Sequence, residues 1–167
     1  MTELRFPVEG YVLRSAEDDD RPFFLDCMEE NVLISVPAAE AEHSELWLDD
    51  IMYLTFITAD GNMMRSEVLI LEDDRKERAG IIWVGISRDQ FTCEETGYLL
   101  GIFVNEDLRG RGIGTALMGC AEDWCRQHGL LSMTLNVGSP NTPAKAFYDR
   151  LGFEERSTVM RRRFRRN

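Results

Sequence analysis

The sequence Arg109-Gly110-Arg111-Gly112-Ile113-Gly114 stands between a predicted strand and a predicted helix. The strand is the apolar run 97–104, and apolar side chains recur at helical spacing over 113–124. The amide groups of a first helical turn have no intrahelical partner, and the helix dipole adds partial positive charge there. Glycines let an anion approach these amides without obstruction by Cβ atoms. The segment therefore predicts a phosphate site. The alternative is a glycine-rich turn that only packs a strand against a helix.

Two other phosphate-binding loops are excluded by single positions. A Walker A loop requires Gly-Lys-Ser/Thr, and this loop contains no lysine. A dinucleotide-binding fingerprint requires a glycine three residues after Gly114, where Leu117 stands. The next predicted strand also ends in Asn136-Val137, without the acidic residue that would bind a ribose.

Two segments resemble the GNAT superfamily of acetyl-CoA-dependent N-acetyltransferases. Val104–Met118 resembles the acetyl-CoA motif, whose core is Arg/Gln-x-x-Gly-x-Gly/Ala, although Glu106 replaces a frequent proline. Asn141–Phe153 resembles the family's Asn-x-x-Ala-x-x-Leu-Tyr-x-x-x-Gly-Phe helix. The resemblance covers residues 97–160, and the first half agrees only in its order of elements. It implies the GNAT fold, an α/β architecture with a single mixed, mostly antiparallel twisted sheet flanked by helices.

Hydrophobic patterns predict the individual elements. The predicted strands are 10–14, 67–71, 79–86, 97–104 and 131–137, with a closing hairpin over 154–164. The first two predicted helices are 20–33 and 39–56. The third runs from within the glycine loop to His128, and the fourth runs from an N-cap at Thr142 to Leu151. We expect one domain, residues 1–167. It would comprise an acceptor-side half (1–96), an acetyl-CoA-binding core (97–160) and a basic C-terminal end (161–167).

The resemblance implies roles for particular groups. Main-chain groups of the strand would pair with the pantetheine arm, as an added strand pairs with a sheet edge. Loop amides would hold the pyrophosphate of acetyl-CoA, Asn141 would bind the pantetheine or its thioester end, and Tyr148 would bind near the sulfur and donate a proton to the departing thiolate. The strand residues are Ile102, Phe103 and Val104, and the loop residues are Arg109, Gly110, Arg111, Gly112, Ile113, Gly114 and Thr115.

The general base stays open at this stage. Several GNAT enzymes use a glutamate near the start of the strand that leads to the glycine loop. Thr96 or Gly97 occupies that position here, and the adjacent Glu94 and Glu95 are candidate bases in a predicted loop. The alternative is that both are solvated loop charges.

Composition limits the other properties. The formal net charge is −11 even though five arginines lie in 161–166, so the body is strongly acidic, which favours cationic acceptors and disfavours nucleic acid. The basic end is typical of a last strand with a solvated terminus. Membrane-length apolar runs and an N-terminal signal core are absent, which predicts a cytoplasmic protein without membrane attachment. The four cysteines form no Cys-x-x-Cys pair, so we expect neither a metal site nor disulfides.

The sequence therefore predicts an N-acetyltransferase. It would move the acetyl group of acetyl-CoA to a primary amine of a small molecule or a protein N-terminus, by direct attack in a ternary complex. The alternative is a non-catalytic module that binds or senses acyl-CoA. A homodimer would be in keeping with the family.

Overall fold

A computed structural model describes residues 6–37, 65–162 and 164, so the predicted helix 39–56 lies outside the described residues. The described strands form one sheet in the order β1-β2-β3-β4-β5. Neighbours from β1 to β4 are antiparallel, whereas β5 is parallel to β4. The predicted mixed, mostly antiparallel sheet is therefore confirmed. The strands are β1 (Tyr11–Ser15), β2 (Arg65–Asp73), β3 (Arg78–Arg88), β4 (Glu95–Val104) and β5 (Met133–Leu135).

Helices cover both faces of this sheet. The described helices are α1 (Arg21–Ser35), α2 (Ile113–Gln127) and α3 (Thr142–Arg150). The apolar stripe predicted for α2 is buried, and it packs with α3 on one face, here called the α2 face. The opposite α1 face has its own core, in which Phe24 meets Trp83 edge to face. Within the described residues, no helix is long and apolar enough to cross a membrane.

Strands β4 and β5 separate part of the way along β4. Their pairing ends at Leu99 with Leu135, whereas β4 continues to Val104. The register between β3 and β4 shifts at Trp83/Val84, so that Gly101 and Leu99 face consecutive residues of β3. From Leu100 onward, no described strand covers the free edge of β4. This gap between the strands is called the cleft below.

Ion pairs between a buried carboxylate and two partly exposed arginines attach the start of α1 to the sheet. Asp20 precedes the helix, and only 1% of its surface is exposed. Arg14 of β1 donates two hydrogen bonds to its carboxylate, at 2.6 and 3.0 Å, and Nε of Arg78 donates another at 2.6 Å. The amide of Glu17 also donates to this carboxylate. The pKa of Asp20 lies well below its usual range, chiefly because of the hydrogen bonds from Arg14.

The predicted closing hairpin over 154–164 is wrong for the described residues, which form no strand there. Arg156 instead pairs with Asp89 in the β3–β4 turn and lies 4.8 Å from the Phe91 ring centroid. Val159 and Met160 are 98% and 90% exposed. Because Ser157-Thr158 precede these two residues and arginines follow them, apolar and polar residues do not alternate and the segment has no apolar face that a sheet could bury.

Candidate active site

The glycine loop leaves the first turn of α2 open. Gly110 and Gly112 have φ angles of 76° and 81°, a left-handed conformation that side chains other than glycine rarely adopt. Gly112 is the N-cap residue and makes no side-chain cap, and the first helical hydrogen bond runs from the amide of Ala116 to its carbonyl, at 3.0 Å. The amides of the three preceding residues, Ile113 to Thr115, thus have no intrahelical acceptor. This helix start can bind an anion.

Arg109 turns from the loop back towards β4 and α1. Its Nε donates to the carbonyl of Val104 at 2.8 Å, and its guanidinium lies 5.2 Å from the Phe103 ring centroid. The same group pairs with Glu30 of α1 at 2.9 Å, with both side chains about half exposed. Of the two loop arginines, Arg109 therefore forms an ion pair with a carboxylate, and Arg111 is exposed.

Main-chain groups of β4 face the cleft at alternate residues. The Ile102 carbonyl accepts a hydrogen bond from Nδ2 of Asn31 at 3.1 Å, and the Val104 carbonyl accepts the one from Arg109. Because successive residues of a strand direct these groups to opposite sides, the amides of Ile102 and Val104 face the cleft as well. The Phe103 carbonyl faces β3, since it lies 2.5 Å from where a Cβ on Gly80 would stand. The edge thus presents two amide donors.

Asn141 stands at the start of α3. Its Oδ1 accepts a hydrogen bond from the Ala144 amide at 3.2 Å, which makes Asn141 the N-cap of the helix. The prediction of Thr142 as N-cap was wrong by one residue, because an asparagine side chain reaches the third helical amide equally well. The cap does not use the Nδ2 group of Asn141, which stays available as a donor.

Tyr148 lies on α3, half-buried against the core of the α2 face. The rings of Phe147 and Phe153 flank it at centroid distances of 5.4 and 5.7 Å. Its hydroxyl makes no hydrogen bond within the described part of the chain, and burial raises its pKa to about 12. The neighbouring Phe147 ring would touch a Cβ on Gly114 at 3.5 Å, so α3 packs against the first turn of α2. A neutral phenol therefore lies on the helix next to the glycine loop.

Glu94 and Glu95 lie at the other end of β4 from the loop, and both are exposed. Nine strand residues after Glu95 correspond to roughly 30 Å of extended chain before Val104. The placement of Glu95 in a loop was wrong, because it is the first residue of β4 and pairs with Arg88. Thr96, next in sequence, is buried, with its hydroxyl 2.9 Å from that of Ser132.

Sequence reasoning missed one polar pair beside the cleft. Nδ2 of Asn136, the residue after β5, donates to the hydroxyl of Tyr98 on β4 at 2.6 Å. The alternation of side chains along β4 could have placed Tyr98 on a different face of the sheet from its apolar neighbours. Its partner Asn136 could not be predicted, because that contact depends on how β4 and β5 align.

Comparisons with known proteins place the chain in a family. The model of the acetyltransferase (GNAT) family matches residues 34–153. An uncharacterized N-acetyltransferase of Methanocaldococcus jannaschii is 50% identical over 58 residues, 35% of this chain and 26% of the relative. The mycothiol acetyltransferase of Rhodococcus opacus is 28% identical over 112 residues, 66% of this chain and 32% of the relative. The aligned parts thus span about a quarter to a third of these two relatives.

Solved structures share the fold. A protein of Pyrococcus furiosus assigned as an acetyl transferase has a TM-score of 0.72 and 22% identity, covering 92% of this chain and 99% of that one. AAC(6')-Iy in complex with the bisubstrate analogue CoA-S-monomethyl-acetylneamine has a TM-score of 0.59 and 20% identity, covering 93% and 98%. With its family-model match over residues 34–153, the chain belongs to the GNAT family of acetyltransferases.

Proposed function

We propose that this protein transfers the acetyl group of acetyl-CoA to a primary amine by direct attack in a ternary complex. The observation that carries the proposal is the open start of α2 beside the uncovered edge of β4. The loop amides offer donors to a pyrophosphate. The Ile102 and Val104 amides offer donors to the carbonyl groups of a pantetheine arm lying in the cleft. In the related fold of AAC(6')-Iy, a CoA conjugate of an amine is the bound ligand.

The reaction needs one bond to form and one to break. The amine nitrogen attacks the thioester carbon, the C–N bond forms, and the tetrahedral intermediate expels CoA as thiolate when the C–S bond breaks. The amine must lose a proton, and an alkylamine near pKa 10 is mostly protonated at neutral pH, a barrier of about 4 kcal/mol. Because Glu94 and Glu95 are exposed at the far end of β4 from the glycine loop, we propose that either would take this proton only through water.

Tyr148 would stabilise the leaving thiolate. Its raised pKa of about 12 keeps the phenol neutral, so it is a hydrogen-bond donor at any physiological pH. A thiol has a pKa of about 8.5, so complete proton transfer from this phenol to the thiolate is unfavourable. A hydrogen bond from Tyr148 to the sulfur is therefore the expected contribution. Any loss of turnover caused by ionisation of Tyr148 should appear only above pH 10.

Titration calorimetry tests the donor site directly. We expect acetyl-CoA to bind the full chain with a dissociation constant below millimolar, since a pyrophosphate, a pantetheine arm and a thioester all have complementary groups. Heat changes absent at millimolar acetyl-CoA would overturn the proposal. Assay of CoA release with spermidine, glucosamine and a tripeptide amide then distinguishes an enzyme from a module that only binds acyl-CoA.

Tyr148→Phe tests the leaving-group role. We expect turnover to fall by about 10- to 100-fold, the range for loss of one hydrogen bond to a charged group, with acetyl-CoA affinity within about twofold of wild type. Tyr11→Phe is the matched control, because Tyr11 is also half-buried at the edge of the same core but lies on β1, at the opposite edge of the sheet. Equal turnover of wild type and Tyr148→Phe would remove Tyr148 from the mechanism.

A further inference from the structure

Tyr98 faces the α1 side of the sheet. A Cβ on Gly97 would lie 2.3 Å from Sγ of Cys125 on α2, and Leu99 belongs to the core of the α2 face. Since successive side chains of a strand alternate between faces, Tyr98 between them points to the α1 face. Leu100 packs on the α1 core, as the same alternation requires. Tyr148, by contrast, packs on the α2 face.

The Tyr98–Asn136 pair stands where the cleft begins. Tyr98 pairs with Thr134 one position before the last β4–β5 pair, and Asn136 is the first residue after β5. Further along the α1 side, Asn31 of α1 contacts Ile102, and Gly138 packs closely on the main chain of Ser35. The pair thus borders the same gap as the β4 edge, but at its closed end and on the face opposite Tyr148.

The hydrogen bonds of this pair leave unused groups. Nδ2 of Asn136 donates to the Tyr98 oxygen, so the tyrosine hydrogen and Oδ1 of Asn136 are not used in that bond. Asn136 is exposed and Tyr98 is half-buried. Burial raises the pKa of Tyr98, so the phenol stays neutral. The pair therefore presents one donor and one acceptor, both uncharged, beside the cleft.

We propose that Tyr98 and Asn136 bind the attacking amine on the α1 side of the cleft. Oδ1 of Asn136 accepts an N–H of the free amine, which orients the nitrogen lone pair towards the thioester carbon. The phenol hydrogen of Tyr98 binds a polar group of the acceptor close to that amine. This inference rests on the proposed acetyl transfer and assigns its acceptor site. The groups that bind the acetyl donor and the leaving group lie on the α2 face, and the nucleophile enters from the α1 face.

An uncharged pair has a specific consequence for the reaction. A carboxylate at this position would bind the ammonium form and stabilise the unreactive proton, whereas an amide oxygen binds ammonium and free amine with a smaller preference. The site therefore positions the nucleophile without removing its proton. We expect kcat/KM for the amine to keep rising with pH through the pKa of the free acceptor.

Asn136→Ala and Tyr98→Phe test the inference, with spermidine, glucosamine and a tripeptide amide as acceptors. For the amine that wild type acetylates fastest, we expect Asn136→Ala to lower kcat/KM by about 10- to 100-fold, the range for loss of one or two hydrogen bonds to substrate. The dissociation constant of acetyl-CoA should stay within about twofold. Gln127→Ala, which removes an exposed amide at the C-terminal end of α2, on the other face of the sheet from Tyr98, is the matched control and should change neither value.

The outcomes separate the inference from the proposed function. A purely structural role for the pair would change acetyl-CoA affinity and melting temperature along with kcat/KM, and that result would overturn the acceptor site. Unchanged kcat/KM in both variants would do so as well, while acetyl transfer by wild type would still stand. If wild type binds acetyl-CoA but acetylates none of the three amines, the proposed function fails, and this inference fails with it.

Discussion

The helices α1 and α2 begin in opposite ways. The residue before α1, Asp20, has a buried carboxylate that receives hydrogen bonds from two arginines and a main-chain amide. The residue before α2, Gly112, has no side chain and a left-handed conformation, and a Cβ there would meet nothing within 4 Å. Charged groups of the protein itself surround the residue before α1, whereas the residue before α2 has no side chain that could cap the helix.

The difference distinguishes a structural joint from the proposed ligand site. A carboxylate bound by guanidinium groups attaches α1 to β1 and β3 and has no remaining capacity for a ligand. Unpaired amides beside an open space can bind an anion brought by a substrate. At the first region carboxylates of the protein accept the guanidinium donors, whereas at the second the helix amides have no intrahelical acceptor.

Asp20→Asn should have the largest effect, because it removes the buried carboxylate that Arg14 and Arg78 share and leaves Arg14 with Glu72 alone. We expect a loss of about 3 kcal/mol in the free energy of unfolding, measured by urea denaturation at pH 7. Asp19→Asn is the matched control, since Asp19 is exposed and its side chain makes no hydrogen bond within the described residues. Equal losses in the two variants would show that the joint contributes little.

The stability difference between wild type and Asp20→Asn should also depend on pH. Because the pKa of Asp20 is lowered in the folded state, its stabilisation is complete above the unfolded value of about 4 and is lost as the pH falls further. The difference in stability between wild type and Asp20→Asn should therefore shrink as the pH falls below about 4. A difference that stays constant down to pH 3 would contradict the ion-pair explanation.

Gly112→Ala should affect ligand binding rather than stability of the core. Alanine has room for its Cβ, but a left-handed conformation costs it about 1–2 kcal/mol, so the loop should shift and acetyl-CoA should bind about tenfold more weakly. Gly119→Ala, also with free space but inside α2, should leave affinity unchanged and raise stability by up to about 1 kcal/mol. Equal affinities of wild type and Gly112→Ala for acetyl-CoA would show that binding does not depend on the conformation of the loop.

Glu30→Gln should have the smallest effect. It tests a contact between the two helices. Glu30 of α1 pairs with Arg109 before α2, so removing its charge should free Arg109 for the phosphates of acetyl-CoA. An exposed ion pair is worth at most about 1 kcal/mol, which corresponds to roughly two- to fivefold tighter binding in calorimetry. Glu29→Gln, the control, removes the same charge from the preceding, exposed residue of α1 and should leave the affinity unchanged. Weaker binding by Glu30→Gln would show instead that the pair positions Arg109.

The shape of the glycine loop, the proposed donor site, was predictable because it depends on local conformation. The glycine pattern at 110 and 112 requires left-handed residues, and the structure has them, so the loop before α2 could be read from neighbouring residues alone. The apolar stripe of α2 and the left-handed Gly129 after it were predictable for the same reason. The errors concern single-residue details, such as the N-cap of α3, or pairing, such as the predicted closing hairpin.

Sequence alone identified the family and predicted the open glycine loop, because each motif consists of residues adjacent in the chain whose backbone geometry is local. Only the tertiary structure brought Tyr98 next to Asn136 and Arg109 next to Glu30, pairs separated by 38 and 79 residues. Such contacts depend on strand register and on the faces against which helices pack. They form only when the whole core is buried, so no pattern of neighbouring residues predicts them.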